Sequence, residues 1–186
     1  MRRPVLFAAW LAILQGCATE PAPQVPSARP PELTPIDVPG AYTHEPSHAV
    51  IPDQIGGFRR VAIFRRGSDG LRLTVSYGLD SPTCPTAITL FLDPAEQPGI
   101  VDKAFARAKD EVMQAFPNAV LDHEDARDDS ALTGKRAFYR IDDKAMEVGV
   151  AQRGKAWDVK HRVIFPARCG AEVLPAINGF FPGWQR

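Results

Sequence analysis

An α+β fold is predicted, a mostly antiparallel sheet of about six or seven strands covered by one long helix and a C-terminal helix. Three observations carry it. Apolar and polar residues alternate with period two in several runs separated by short Gly- and Asp-rich turns. One stretch, about residues 99–116, repeats its apolar residues every three or four positions. A second apolar helical segment closes the chain. Short turns favour antiparallel pairing, and two apolar-faced helices need a sheet to cover.

The elements follow in order. Phe58 to Arg66 reads as a strand, with Val61 and Ile63 on one face and Ala62 and Phe64 on the other. Gly67-Ser68-Asp69-Gly70 has tight-turn composition. Leu71, Leu73, Val75 and Tyr77 then alternate with Arg72, Thr74 and Ser76, giving the clearest hairpin in the chain. A loop with Pro82, Cys84 and Pro85 leads to a third strand, Thr86 to Leu92. In the long helix Val101, Phe105, Ala108, Val112 and Ala115 form the apolar stripe, Asp102 suits the positive N-terminal end, and Pro117 stops it. Four strands are expected next, near 119–125, 135–141, 145–152 and 156–165, the last placing Trp157, Val159, His161, Val163 and Phe165 on one face. Val173, Leu174, Ile177 and Phe181 fit a C-terminal helix in which Pro175 must sit in the first turn or introduce a kink.

The N-terminal stretch is a different material. Arg2 and Arg3 precede an apolar run, Val5 to Leu14, too short for the roughly twenty residues of a spanning helix and suited to a signal peptide. Leu14-Gln15-Gly16-Cys17 resembles the bacterial lipobox. That resemblance implies a signal peptide over 1–17, a diacylglyceryl thioether on Cys17, cleavage before it and acylation of the new amino group. Two or more acyl chains anchor stably. Ala18 is not the Asp that resembles an inner-membrane retention signal, so a bacterial envelope location is expected and, if the organism is Gram-negative, the outer membrane facing the periplasm. Residues 18–51 hold eight of the eighteen prolines, which disfavours helix and sheet alike. They are expected to be a flexible tether reaching on the order of 100 Å at 3.1 Å per residue, with the globular domain spanning 52–186.

The order of elements over about residues 52–182 resembles the PsbP-like α-β-α sandwich, which recurs in small exported and lipid-anchored proteins. With Cys17 assigned to lipid, Cys84 and Cys169 remain as an even pair in an oxidising compartment, and a disulfide is expected over the alternative of two buried thiols.

Charge excludes some functions. The 22 basic and 22 acidic side chains become 20 and 22 once Arg2 and Arg3 leave with the signal. That balance argues against nucleic acid and leaves no polybasic segment for an anionic membrane surface. His44-Glu45-Pro46-Ser47-His48 matches H-E-x-x-H literally, but Pro46 disfavours the helix that would bring both imidazoles to one zinc ion. The acidic cluster Asp122, His123, Glu124, Asp125, Asp128 and Asp129 lacks EF-hand spacing and reads as a solvated strand end. Arg59, Arg60, Arg65, Arg66 and Arg72 form a basic patch that suits either an acidic partner or edge-strand protection. His161 reads as a packed core-edge histidine. The sequence offers no catalytic residue, metal site or cofactor motif. A non-enzymatic, lipid-anchored binding or scaffold module is therefore expected, with an envelope protein or cell-wall component as partner. The alternative is a small hydrolase or ligand carrier with a pocket between helix and sheet, which a deep pocket holding His161 and a carboxylate would favour.

Overall fold

A computed structural model of the chain describes residues 32–129 and 132–184; the lipobox with Cys17, and residues 18–31, lie outside them. The described residues form an α+β fold around a nine-stranded antiparallel sheet with two α-helices, so the sheet has more strands than expected. Its centre is two meanders. Strands β5 (Phe58–Arg66), β6 (Arg72–Leu79) and β7 (Thr86–Pro94) make the first, and β8 (Val120–Asp129), β9 (Leu132–Ile141), β10 (Lys144–Arg153) and β11 (Trp157–Pro166) the second. Helix α1 (Asp102–Ala115) connects them, and β11 pairs with β7 to join the halves. These seven strands are the ones the alternating runs predict.

The two additional strands are β1 (Leu33–Pro35) and β4 (Gln54–Ile55), which pair with opposite ends of β5. Between them, β2 (Tyr42–His44) and β3 (Ala49–Ile51) form a separate hairpin. The expected domain boundary at residue 52 is therefore corrected: residues 32–51 are part of the folded body. Proline prevents long elements but not short extended ones. Ala49 and Ile51 are buried in the main core, and Arg60 donates to the carbonyls of Ile51 (2.9 Å) and Val38 (2.8 Å). The Tyr77 hydroxyl, its pKa pushed up chiefly by burial, donates to Pro52 O at 2.8 Å.

The helices lie on opposite faces. On one, Phe105, Ala108 and Val112 of α1 pack against Ala137, Tyr139, Met146, Val148 and Val150 of β9 and β10. On the other, α2 (Gly170–Trp184) buries Val173, Ile177, Phe180 and Phe181 against Val75, Leu90, Val159 and Val163. Strand β10 is thus buried on both sides, which is why its alternation is weak. Helix α1 does not cover its whole face, and Phe64, Thr74, Ser76 and Thr89 beyond it are half-buried. Helix α2 begins after a 3-10 turn (Ala167–Cys169), so Pro175 falls in its second turn rather than its first.

One register detail also departs from the alternating pattern. A bulge between Arg60 and Ala62 puts Val61 out at 72% exposure, while both Phe58 and Ile63 face the core. An extra residue in one strand shifts the pleat by one, so a strict period of two fails there. Cys84, in the β6–β7 loop, and Cys169 lie at disulfide distance, with Cα atoms 5.7 Å apart.

Candidate functional site

Helix α2 lies over β11 and β4, and it stops short of the outer strands on its face. An open cleft of about 450 Å³ remains between α2 and β8–β10. Alternation along β9 sends Arg136, Phe138 and Arg140 to this side. Phe138 sits on the floor with Phe165, and Leu174 and Asn178 of α2 form the wall. His123 stacks on the Phe138 ring with centroids 4.2 Å apart, and the Arg136 guanidinium lies 5.1 Å from the same ring. The rim is bonded within itself: Arg136 pairs with Asp125 at 3.3 Å and His123 Nδ1 is hydrogen-bonded to Asp122 at 2.9 Å. The acidic run is thus an edge strand: Asp122, His123 and Asp125 stand on the cleft rim, and Glu124 pairs with Lys109 of α1. Its charge also protects an otherwise open sheet edge.

At the inner end stands Glu147, 1% exposed, with His161 behind it at 2%. His161 Nε2 donates to Glu147 Oε1 at 2.8 Å, and its ring tilts against Phe181 with centroids 4.4 Å apart. His161 is thus packed in the core, as its place on an apolar strand face predicts. Gly149 faces His161 across the β10–β11 ladder, and the imidazole occupies the space a Cβ would need. Sequence reasoning missed Glu147. Its one signal is a carboxylate inside the run Met146-Glu147-Val148-Gly149-Val150, and that run cannot show which residue lies across the sheet.

A second groove, of about 300 Å³, runs between α1 and the sheet. Its charges are largely matched internally: Arg66 with Asp93 at 2.6 Å, Arg107 with Glu96 at 2.6 Å, and Lys160 with Glu111 at 2.5 Å. Burial raises the Asp158 pKa, against the Gln152 amide that donates to it at 2.9 Å. The predicted basic patch is mostly spent in such contacts. Arg60 holds the N-terminal segment, Arg66 and Arg72 share Asp93, and Arg59 and Arg65 are exposed.

The literal H-E-x-x-H segment is a turn between β2 and β3. His44, 1% exposed, donates from Nε2 to Gly70 O (3.2 Å) and accepts at Nδ1 from the Ser47 hydroxyl (2.7 Å). His48 has a φ of 53°. Both His44 nitrogens hold the turn together, so neither faces a metal. Among the described residues there is no group of three His, Cys, Asp or Glu placed to hold a metal ion, and no helix is long and apolar enough to cross a membrane.

Burial chiefly lowers the His44 pKa, with Arg65 adding to it and the Gly70 hydrogen bond opposing it. The sign follows. Below the ordinary value of 6.5 the unfolded chain binds the proton more readily, so stability is present above that pH and falls as pH drops. Urea unfolding at pH 7.5 and pH 5.5 should show a smaller acid loss for His44→Asn than for wild type. Equal losses would remove His44 as a source of acid sensitivity.

Neither the protein families nor the curated proteins searched give a match for this chain.

Proposed function

We propose that the chain is a lipid-anchored protein of the bacterial envelope, held by acylated Cys17, whose folded domain is a non-enzymatic binding module. The α2/β8–β10 cleft is its binding surface and another envelope component its partner. The observation that carries this is the cleft itself. Its floor is apolar, its rim is charged, and its volume of about 450 Å³ falls in the range of ordinary ligand sites. Residues 18–31 remain as tether, able to span on the order of 40 Å at full extension. Tethering raises the effective concentration for a partner fixed in the envelope.

The hydrolase reading draws on the Glu147–His161 pair. A His–carboxylate pair activates a nucleophile held within hydrogen-bond reach, but among the described residues the cleft lining contains no Ser, Thr or Cys. Binding is the better reading.

Two measurements test it. Cys17→Ala should lose acyl label and leave the membrane fraction; unchanged membrane association would overturn the anchor. A photo-crosslinking residue at Leu174 in intact envelopes should capture an envelope component, and Asn178→Trp should block that capture. The same crosslinker at exposed Arg59, far from the cleft, should not capture it. Equal capture at both positions, or turnover of a small substrate by the purified protein, would overturn the binding-module reading.

A further inference from the structure

We infer that the occupant of the cleft is an amphipathic anion, with a carboxylate or phosphate head and an alkyl or aromatic body. This rests on the reading of the cleft as the binding surface. The argument comes from which polar groups there are already engaged.

Each cleft carboxylate already faces an intramolecular donor. Asp122 has His123 Nδ1, Asp125 has Arg136, and Glu147 has His161. The donors are in surplus. Arg136 Nε is buried with no hydrogen-bond partner, an unfavourable state for a buried donor. Among the described residues, the exposed guanidinium of Arg140 and the Asn178 amide make no hydrogen bond or ion pair. Arg136 and Arg140 flank Phe138 on the same strand face, so two guanidinium groups stand on either side of an apolar floor. Guanidinium presents its donors in a planar fork suited to carboxylate and phosphate oxygens. The floor and wall (Phe138, Phe165, Leu174 and Ala145) supply apolar surface for the body of the same ligand.

A cationic head would have to compete for carboxylates that are already paired. A neutral sugar or peptide would leave the Arg140 charge without a counter-ion. The anionic head is the one that fits what is unspent.

The test uses full-length chain carrying Cys17→Ala and four twelve-carbon amphiphiles, each below its critical micelle concentration: dodecanoate, dodecyl phosphate, dodecylamine and dodecyl maltoside. Calorimetric titration should show one-to-one binding of the two anions, at least tenfold tighter than the amine or the maltoside. Arg140→Gln, which removes no internal contact, should weaken anion binding about tenfold, and Arg140→Glu more. Leu174→Trp, at an exposed wall position, should block binding by filling the cleft. Affinity independent of the head group, tightest binding of dodecylamine, or unchanged affinity in Arg140→Gln would each overturn the inference. If no amphiphile binds while Leu174 still crosslinks specifically in envelopes, the ligand class is wrong and the binding-module reading stands.

Discussion

Replacing both Cys84 and Cys169 by Ser is expected to cost about 4–5 kcal/mol of unfolding free energy, from the chain-entropy model for a loop closed across a separation of 85 residues. Domains of this size are stable by only about 5–15 kcal/mol, so the variant should be marginal at 37 °C. With a urea slope of roughly 1–3 kcal/mol/M, its midpoint should fall by about 2 M. The local consequence is as specific as the global one. Cys169 ends the 3-10 turn that launches α2, and Arg168 donates to Thr83 O (3.1 Å) on the loop that carries Cys84. Without the bridge, the start of α2 is held to the β6–β7 loop only by such exposed contacts. Hydrogen exchange should then rise first at the N-terminal turns of α2, which line the cleft through Gly170 and Leu174. Identical urea midpoints for oxidised and reduced wild type, or ready alkylation of both thiols in native protein without reductant, would contradict the bridge.

Gly149→Ala should be a severely damaging single-carbon change, destabilising by roughly 3–5 kcal/mol. A Cβ there would lie 2.2 Å from His161 Cε1 and 2.7 Å from Nε2. The imidazole cannot swing aside freely, because it is 2% exposed, packed on Phe181 and bonded to Glu147. Overpacking costs about 1–3 kcal/mol, and leaving a buried hydrogen-bonding group unpaired adds about 1–3. A double-mutant cycle isolates the cause. In a His161→Ala background the same Gly149→Ala change should cost at least about 2 kcal/mol less than in wild type, since the clashing ring is gone. An equal penalty in both backgrounds would mean that Gly149 does not exist to seat His161, and that the nearby Lys135 carbonyl at 3.0 Å is the real obstacle.

Alternation and helical periodicity alone determined a good part of this protein. The seven long strands, α1 with its stripe of Phe105, Ala108 and Val112, and the α+β class were all legible. Each is set by local chemistry: a pleat that exposes every second residue, or a helix that turns every 3.6. What pattern could not supply is anything fixed by a neighbour across the sheet. Residues 32–51 read as tether because they continue a proline-rich run and hold Pro35, Pro39 and Pro46. Yet Ala49 and Ile51 fold onto the core, because Arg60 and Tyr77, contributed by β5 and β6, take up carbonyls of the segment and its continuation. Val61 read as sharing a face with Ile63, and a bulge separated them, leaving Val61 exposed and Ile63 buried. Glu147 read as an unremarkable strand residue, since its meaning lies in His161, fourteen positions on and brought beside it only by the β10–β11 register. The cleft is tertiary altogether. It exists because α2 covers β11 and leaves β8 and β9 uncovered, and a sequence records which faces are apolar without recording how far a helix reaches over them.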